Sequence, residues 1–404
     1  MPIALLPKIA LCARPTFRPD YFPIWRAALT QNTKDLLLYI ASSSFRFVDD
    51  PQAGDDTGIF VVRLSLDSGA MEIVDTVRDI PSSQYMTISP NRNHFYATYL
   101  ERPADKGKSS WICAFSLDST TGQVQYLNRQ AGDGDSPCHV STDQTGRWVL
   151  SVSYTGVDDR GSVCVFPVLA DGSLGARTTY LQHEGSGVNP DRQQASHPHM
   201  IVTDPTNQLV LVPDLGIDKV MVYRLDHETG TLTPHDVPWL RLADGAGPRH
   251  LVFHPNGQFL YVINELNSTV TSFRYDAAQG TFEPLETVST IPDDFTANNQ
   301  CANIHIEPSG RFLYGSNRGH NSIVIYAIDS ETGRLELVGF ESTLGEWPRG
   351  FAIDPTGTML IAANQNSDDV RTFRIDPLHG TLSATGFKLD IGGPICIKPL
   401  LLDI

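Results

Sequence analysis

One apolar pattern recurs along the chain: a strand, a tight turn built on proline and glycine, and a second strand. Its clearest copies are GPRHLVFHPNGQFLYVINELNS (Gly247 to Ser268), ANIHIEPSGRFLYGSNRGHNS (Ala302 to Ser322) and PRGFAIDPTGTMLIAANQNSD (Pro348 to Asp368). A two-stranded unit of this size cannot bury its apolar face alone, so copies must stack on one another. Weaker copies begin at Gln84, Ser136 and His197. The spacing is roughly 45 to 60 residues, the range of propeller blades rather than of helical or leucine-rich repeats.

Each copy is followed by further alternating stretches. TVTSFRYD, IVIYAID and VRTFRID stop at turns that end in Gly280, Gly333 and Gly380. Alternation bounded by Asp/Gly turns marks half-buried strands, so each repeat makes about four antiparallel strands. Six copies are complete. DLLLYIASSS (Asp35 to Ser44) reads as a second strand with no first, and GPICIKPLLLDI at the C-terminus as a first strand with no second. Placing both in one blade closes an all-β, seven-bladed propeller over residues 34–404 and leaves no open edge. Residues 1–33, with Pro2, Pro7, Pro15, Pro19 and Pro23, do not fit the blade pattern and read as an N-terminal arm.

A net charge of -16 argues against nucleic-acid and anionic-membrane surfaces. No apolar run is long enough to span a bilayer. The opening MPIALLPKIALCA is broken by Pro7 and Lys8 and lacks the order of a signal peptide. Cys12, Cys113, Cys138, Cys164, Cys301 and Cys396 are scattered without CxxC or metal spacing. They read as free thiols, which points to the cytoplasm.

Aligning the blades on their turns exposes two positions. The start of the innermost strand is Gln84, Cys138, His199, Arg249, Ala302, Arg349 and Ile395, preceded in five blades by proline. The end of the next strand is Ser42, Leu100, Tyr154, Leu215, Glu265, Arg318 and Gln365. In a hairpin these two ends share one edge of the sheet, so both sets project around the central opening. Arg249 is expected beside Glu265, Arg318 beside the small Ala302, and Arg349 beside Gln365. A lone Arg–Glu pair on a buried strand can be a satisfied ion pair. Three arginines facing one glutamate cannot all be, because unpaired buried charge is expensive. An anionic small molecule would supply the missing charge, since guanidinium forks match carboxylate and phosphate.

Other residues rank lower. His197 and His250 flank the funnel, His320 follows Arg318-Gly319 toward the rim, and Tyr154 belongs to the second set. His254 reads as a turn residue and His305 as a core residue. Asp293, Asp294 and Phe295 lie in a loop joining two blades and could form a lid. Asp214, Asp218, Glu265 and His199 lack the compact spacing of a metal site, and no metal or organic cofactor is expected. No nucleophile elbow, Walker loop or dinucleotide fingerprint occurs in its required context, and nothing obvious would activate Cys138.

At SPCHVSTDQTGR, HPHMIVTDP, VPDLGIDKV, GAGPRHLVFHPNGQFLYVINELNSTV, HIEPSGRFLYGSNRGHNSI and PRGFAIDPTG the chain resembles the seven-bladed lactonase family. That family includes propeller-type 6-phosphogluconolactonases and fungal 3-carboxy-cis,cis-muconate lactonizing enzymes. The resemblance runs from about Leu36 to about Cys396. It leaves unexplained the first 30 or so residues and the stretch from Glu101 to Ser110. The family's active-site histidine, arginine, glutamate and second arginine correspond to His199, Arg249, Glu265 and Arg318.

The resemblance implies hydrolysis of a sugar-acid lactone such as 6-phosphogluconolactone. Arg249 and Arg318 would hold the anionic group and the developing oxyanion, and His199 or Glu265 would act as base. A glutamate flanked by arginines stays ionised and is a weak base, which favours His199. The alternatives are an intramolecular cyclase acting on a carboxylated muconate, and a non-enzymatic propeller that docks another protein.

Overall fold

The computed structural model describes residues 35–43, 58–80, 82–101 and 109–402. The N-terminal arm expected over residues 1–33 lies outside the described residues. The described residues form 28 strands, numbered β1 to β28 in chain order, in seven four-stranded antiparallel sheets. No helix among them is long and apolar enough to cross a membrane.

The seven sheets are the seven blades. Six are built from four consecutive strands. The remaining blade has the order β28-β1-β2-β3, in which β28 (Pro394–Leu400) pairs antiparallel with β1 (Asp35–Ser42) from Leu37↔Leu400 to Ser42↔Pro394. The unpartnered stretches at the two ends of the sequence therefore complete one another. Closure satisfies backbone groups that would otherwise stand at two raw edges.

The turns explain the repeat. Between the first and second strands, Gly146, Gly257, Gly310 and Gly357 adopt φ between +71° and +79°, a conformation costly to any residue with a Cβ. The first residue of the turn is often acidic and binds its own turn. Asp354 accepts from the backbone N–H groups of Thr356 (2.8 Å) and Met359 (2.6 Å).

The apolar core is not central but lies in layers between blades. Phe259, Tyr261 and Ile263 of one blade pack with Ile304, Leu313, Val324 and Tyr326 of the next. A hydroxyl tie recurs across these layers. Tyr96, Tyr261 and Tyr314 on second strands donate to Gly172 O (3.1 Å), Gly333 O (3.0 Å) and Gly380 O (2.8 Å) in the following blade. Tyr39 of the closing blade does the same to Gly122 O at 2.5 Å. Each buried tie contributes about 1 kcal/mol and fixes the rotation of one blade against its neighbour.

β28 buries Ile395, Cys396, Ile397 and Leu400. At about 1.5 to 3 kcal/mol for each large apolar side chain, losing the strand costs about as much as the whole net stability of a domain. A chain truncated after Asp390 is expected to lose its cooperative thermal transition by circular dichroism. A transition within a few degrees of the full chain would show that β28 does not close the ring.

Candidate active site

The site begins with a backbone irregularity. In β16 (Pro248–Phe253), Pro248 pairs with Asn264 and His250 with Ile263, so Arg249 is the extra residue of a β-bulge. The same step occurs at Cys138 in β8 (Pro137–Thr142), at Arg349 in β24 (Pro348–Ile353) and at Ile395 in β28. Proline supplies no N–H and suits a strand's first residue. The bulge then re-aims the side chain that follows. One device, repeated in four of the seven blades, turns one residue of each toward the axis.

The result is a small axial cavity. Gln84, Cys138, His199, Arg249, Arg349 and Ile395 line it, six of the seven expected inner-strand positions. The seventh differs. In β20 (Gln300–Ile306) Asn303, not Ala302, lines the cavity, while Ala302 offers its carbonyl to Arg249 Nη1 at 2.6 Å. Tyr85 and His250 also line it. The consecutive pairs Gln84–Tyr85 and Arg249–His250 thus share one space, which a regular strand of period two would forbid.

Behind this lining, Glu265 is 2 % exposed and meets three guanidiniums. Its Oε2 lies 2.9 Å from Arg249 Nε and 2.6 Å from Arg318 Nη2, and its Oε1 accepts from Arg192 Nη2 at 2.5 Å. The Arg249 contact is an ion pair not aligned as a hydrogen bond. Arg318, the last residue of β21 (Phe312–Arg318), also donates to Cys301 O (2.8 Å) and stands over the Trp347 ring. Burial alone would raise the Glu265 carboxyl. Arg318, Arg249 and Arg192 outweigh it and hold the group far below the usual carboxylate range.

The arginines feel the opposite pressure. Burial, with Arg318 close by, pushes Arg249 down to about 9 and Arg349 down to about 10. One carboxylate against four guanidiniums leaves about three positive charges beside a cavity, and charge so placed becomes favourable when an anion arrives.

His199 is buried among aromatic rings, with Tyr154 edge-on at 5.6 Å and His250 at 5.5 Å. Its Nδ1 has no hydrogen-bond partner. Burial first, then Arg249 and Arg349, keeps its imidazole uncharged well below the ordinary value. His197 stacks flat on Tyr154 at 4.4 Å, and its backbone N–H donates to Asp214 at 2.6 Å. Asp214 also meets His183 at 2.6 Å, and Asp218 accepts from Gln193, Gly245 and Gly247. Both carboxylates are thus engaged in positioning loops. Burial pushes the Cys138 thiol up to about 12, which disfavours the nucleophilic thiolate.

Two expected neighbours stand apart from this lining. His320 bonds Ser322 Oγ at 2.6 Å and packs edge-on against Phe295 and Phe340, away from the cavity lining. Gln365 is buried, and its N–H donates to Trp347 O at 3.0 Å. Arg192 was not legible from the repeat, because it comes from the segment between β11 (Thr179–Leu181) and β12 (Val202–Thr203), where blade register does not apply. A deeper tier was missed as well. His139 lies 4.1 Å from the Tyr85 ring, and Lys398 Nζ donates to Tyr85 OH at 3.2 Å.

His139, His199, His250 and His305 are all held uncharged, in each case by burial first, His305 down to about 3. Unfolded imidazoles protonate near 6.5, so between that value and the folded ones the unfolded chain binds more protons. Stability is therefore lost as pH falls below about 6.5, by about 1.4 kcal/mol per pH unit for each group in its window. Calorimetry from pH 7 to 5 is expected to show a falling midpoint, with a shallower slope in His305→Gln. A midpoint that holds or rises on acidification would contradict the burial of neutral imidazoles.

Comparison with known proteins agrees with the geometry. Residues 40–399 match the family described as lactonase, 7-bladed beta-propeller. The chain is 36 % identical over 298 residues to a 6-phosphogluconolactonase of Bacillus subtilis (74 % of this chain, 81 % of the relative). It is 38 % identical over 291 residues to one of Yersinia pestis (71 % and 79 %). Among solved structures, the periplasmic gluconolactonase of Pseudomonas aeruginosa superposes with a TM-score of 0.84 at 30 % identity, covering 91 % of this chain and 100 % of that one. With its closed ring of seven blades and a family match across nearly all of that ring, the chain belongs to the seven-bladed β-propeller lactonase family.

Proposed function

We propose that this protein hydrolyses a sugar-acid lactone, and that 6-phosphogluconolactone is its substrate. The observation that carries the reading is the charge imbalance at the cavity: Glu265 faces Arg192, Arg249 and Arg318, with Arg349 also at the wall. Relatives named 6-phosphogluconolactonase at 36 % and 38 % identity support the choice of lactone. Free buried thiols at Cys113, Cys138, Cys164, Cys301 and Cys396 support a cytoplasmic setting.

In this reading Arg249 and Arg349, which line the cavity, hold the ring carbonyl and the oxyanion formed there. His199, uncharged, takes a proton from water as the water oxygen bonds to the carbonyl carbon. The carbonyl then re-forms, the bond from that carbon to the ring oxygen breaks, and the imidazolium returns its proton to the departing alkoxide. Glu265 is not the base, because it stands behind the cavity lining with its oxygens held by three guanidiniums. With Arg318 it positions Arg249. Tyr154, His197 and His250 keep the His199 ring in place, Gln365 backs the wall beside Trp347, and His320 steadies the adjoining loop from outside the cavity. No metal or organic cofactor enters this scheme.

Proton release at pH 6.5 on adding fresh 6-phosphogluconolactone is expected to exceed the spontaneous rate greatly. His199→Gln is expected to lower kcat by roughly 10²- to 10⁴-fold, and Arg249→Met by roughly 10²- to 10³-fold. Undiminished turnover in His199→Gln would remove His199 from the base role. No release by the unaltered protein would reject the lactone.

A further inference from the structure

Three of the four site arginines are built into blade strands. Arg192 is not, and it alone among the partners of Glu265 faces solvent: its side chain is 30 % exposed, against 3 % for Arg249 and 1 % for Arg318. Its charge is nevertheless felt at Arg349 in the cavity wall and at Tyr154 beside His199. It therefore stands at the outer end of the arginine cluster.

The segment bearing it is firmly seated. Asn189 accepts from the backbone N–H of Arg192 at 3.2 Å and of Asp191 at 3.1 Å. Gln193, fully buried, donates to Leu215 O at 2.8 Å and to Asp218 Oδ1 at 2.7 Å. Asp218 also accepts from the N–H groups of Gly245 (2.7 Å) and Gly247 (2.8 Å), the residues that lead into Pro248 and Arg249. One buried carboxylate thus ties the segment that carries Arg192 to the one that leads into Arg249. A mere surface ion pair would not need that anchorage.

Glu265 is already matched by Arg249 and Arg318, so Arg192 adds charge that the buried pairs do not require. A guanidinium has five N–H donors, and holding one carboxylate oxygen does not exhaust them. Its forked geometry suits a phosphoryl group. A lactone held by its carbonyl at the cavity wall with its far end toward solvent would present that end to the exposed side of the cluster, where Arg192 stands.

We propose, resting on the lactonase reading, that Arg192 is the specificity-determining residue for a phosphoryl group at the far end of the lactone. It selects a phosphorylated sugar lactone over the unphosphorylated one.

The test compares the full-length protein with Arg192→Ala and Arg192→Lys, using 6-phosphogluconolactone and gluconolactone. The ratio of their kcat/KM values is expected to fall roughly 10- to 100-fold in Arg192→Ala, mainly through KM for the phosphorylated lactone, with partial recovery in Arg192→Lys. Equal losses on both lactones, or no loss on either, would overturn the inference. Calorimetric binding of the products, 6-phosphogluconate and gluconate, separates this claim from the lactonase reading. If neither lactone is turned over but 6-phosphogluconate binds more tightly than gluconate and the preference collapses in Arg192→Ala, the activity is wrong and the role of Arg192 stands. If the unaltered protein shows no such preference, the role of Arg192 is wrong whatever the activity.

Discussion

A single buried carboxylate organises the axis of this molecule. Glu265 follows the second strand of its blade, and its two oxygens collect guanidiniums from its own blade, from the next blade and from the segment before β12. Buried ion pairs contribute little net stability, because desolvation offsets most of the attraction. The value of this one lies in what it forces. Arginine heads that would repel one another are kept within a few ångströms, and one of them is aimed at the cavity. Replacing Glu265 with an apolar residue would leave a cluster of like charge with nothing to hold it, so the carboxylate and the site depend on each other.

The arginines reach that point by a backbone route. A strand of strict alternation would give the cavity every second residue and bury the rest between blades. The extra residue after the strand-opening proline breaks that alternation at one level of the ring, at Cys138, Arg249, Arg349 and Ile395. Below the bulge, regular pairing resumes and apolar residues return to the inter-blade layers. The lining of the axial cavity is thus drawn from one rim of the inner strands, and the outer strands of each blade serve packing. The tyrosine ties to turn carbonyls belong to that second task, and none of them reaches the cavity.

Much of this was legible in the sequence, for physical reasons that also mark where legibility ended. The closing blade could be read because Asp35–Ser42 and Pro394–Leu400 each carry strand character with no local partner. The neighbourhood of Arg249 and Glu265 could be read because hairpin register sets which residues share an edge. Register assumes regular strands, so the bulge defeated it by one residue. His250 was placed on the flank yet lines the cavity, and Asn303 takes the place expected of Ala302. Arg192 was invisible because a connecting segment obeys no period. Its only local sign is the Asn189-Pro190 turn just ahead of it.

Joining the first and last strands in one blade has a consequence for synthesis. β1 and β28 are separated by roughly 360 residues, so at 5 to 20 residues per second β1 waits roughly 20 to 70 s for its partner to leave the ribosome. Contacts of such sequence separation form late, since loop closure must precede any gain from pairing. Until then the blades can stack only as an open arc. Ile395 in the cavity wall and Lys398 beside Tyr85 both arrive on β28. The axial cavity is therefore completed only when β28 has been made, and a nascent chain that has not reached it carries its arginines on an unfinished ring.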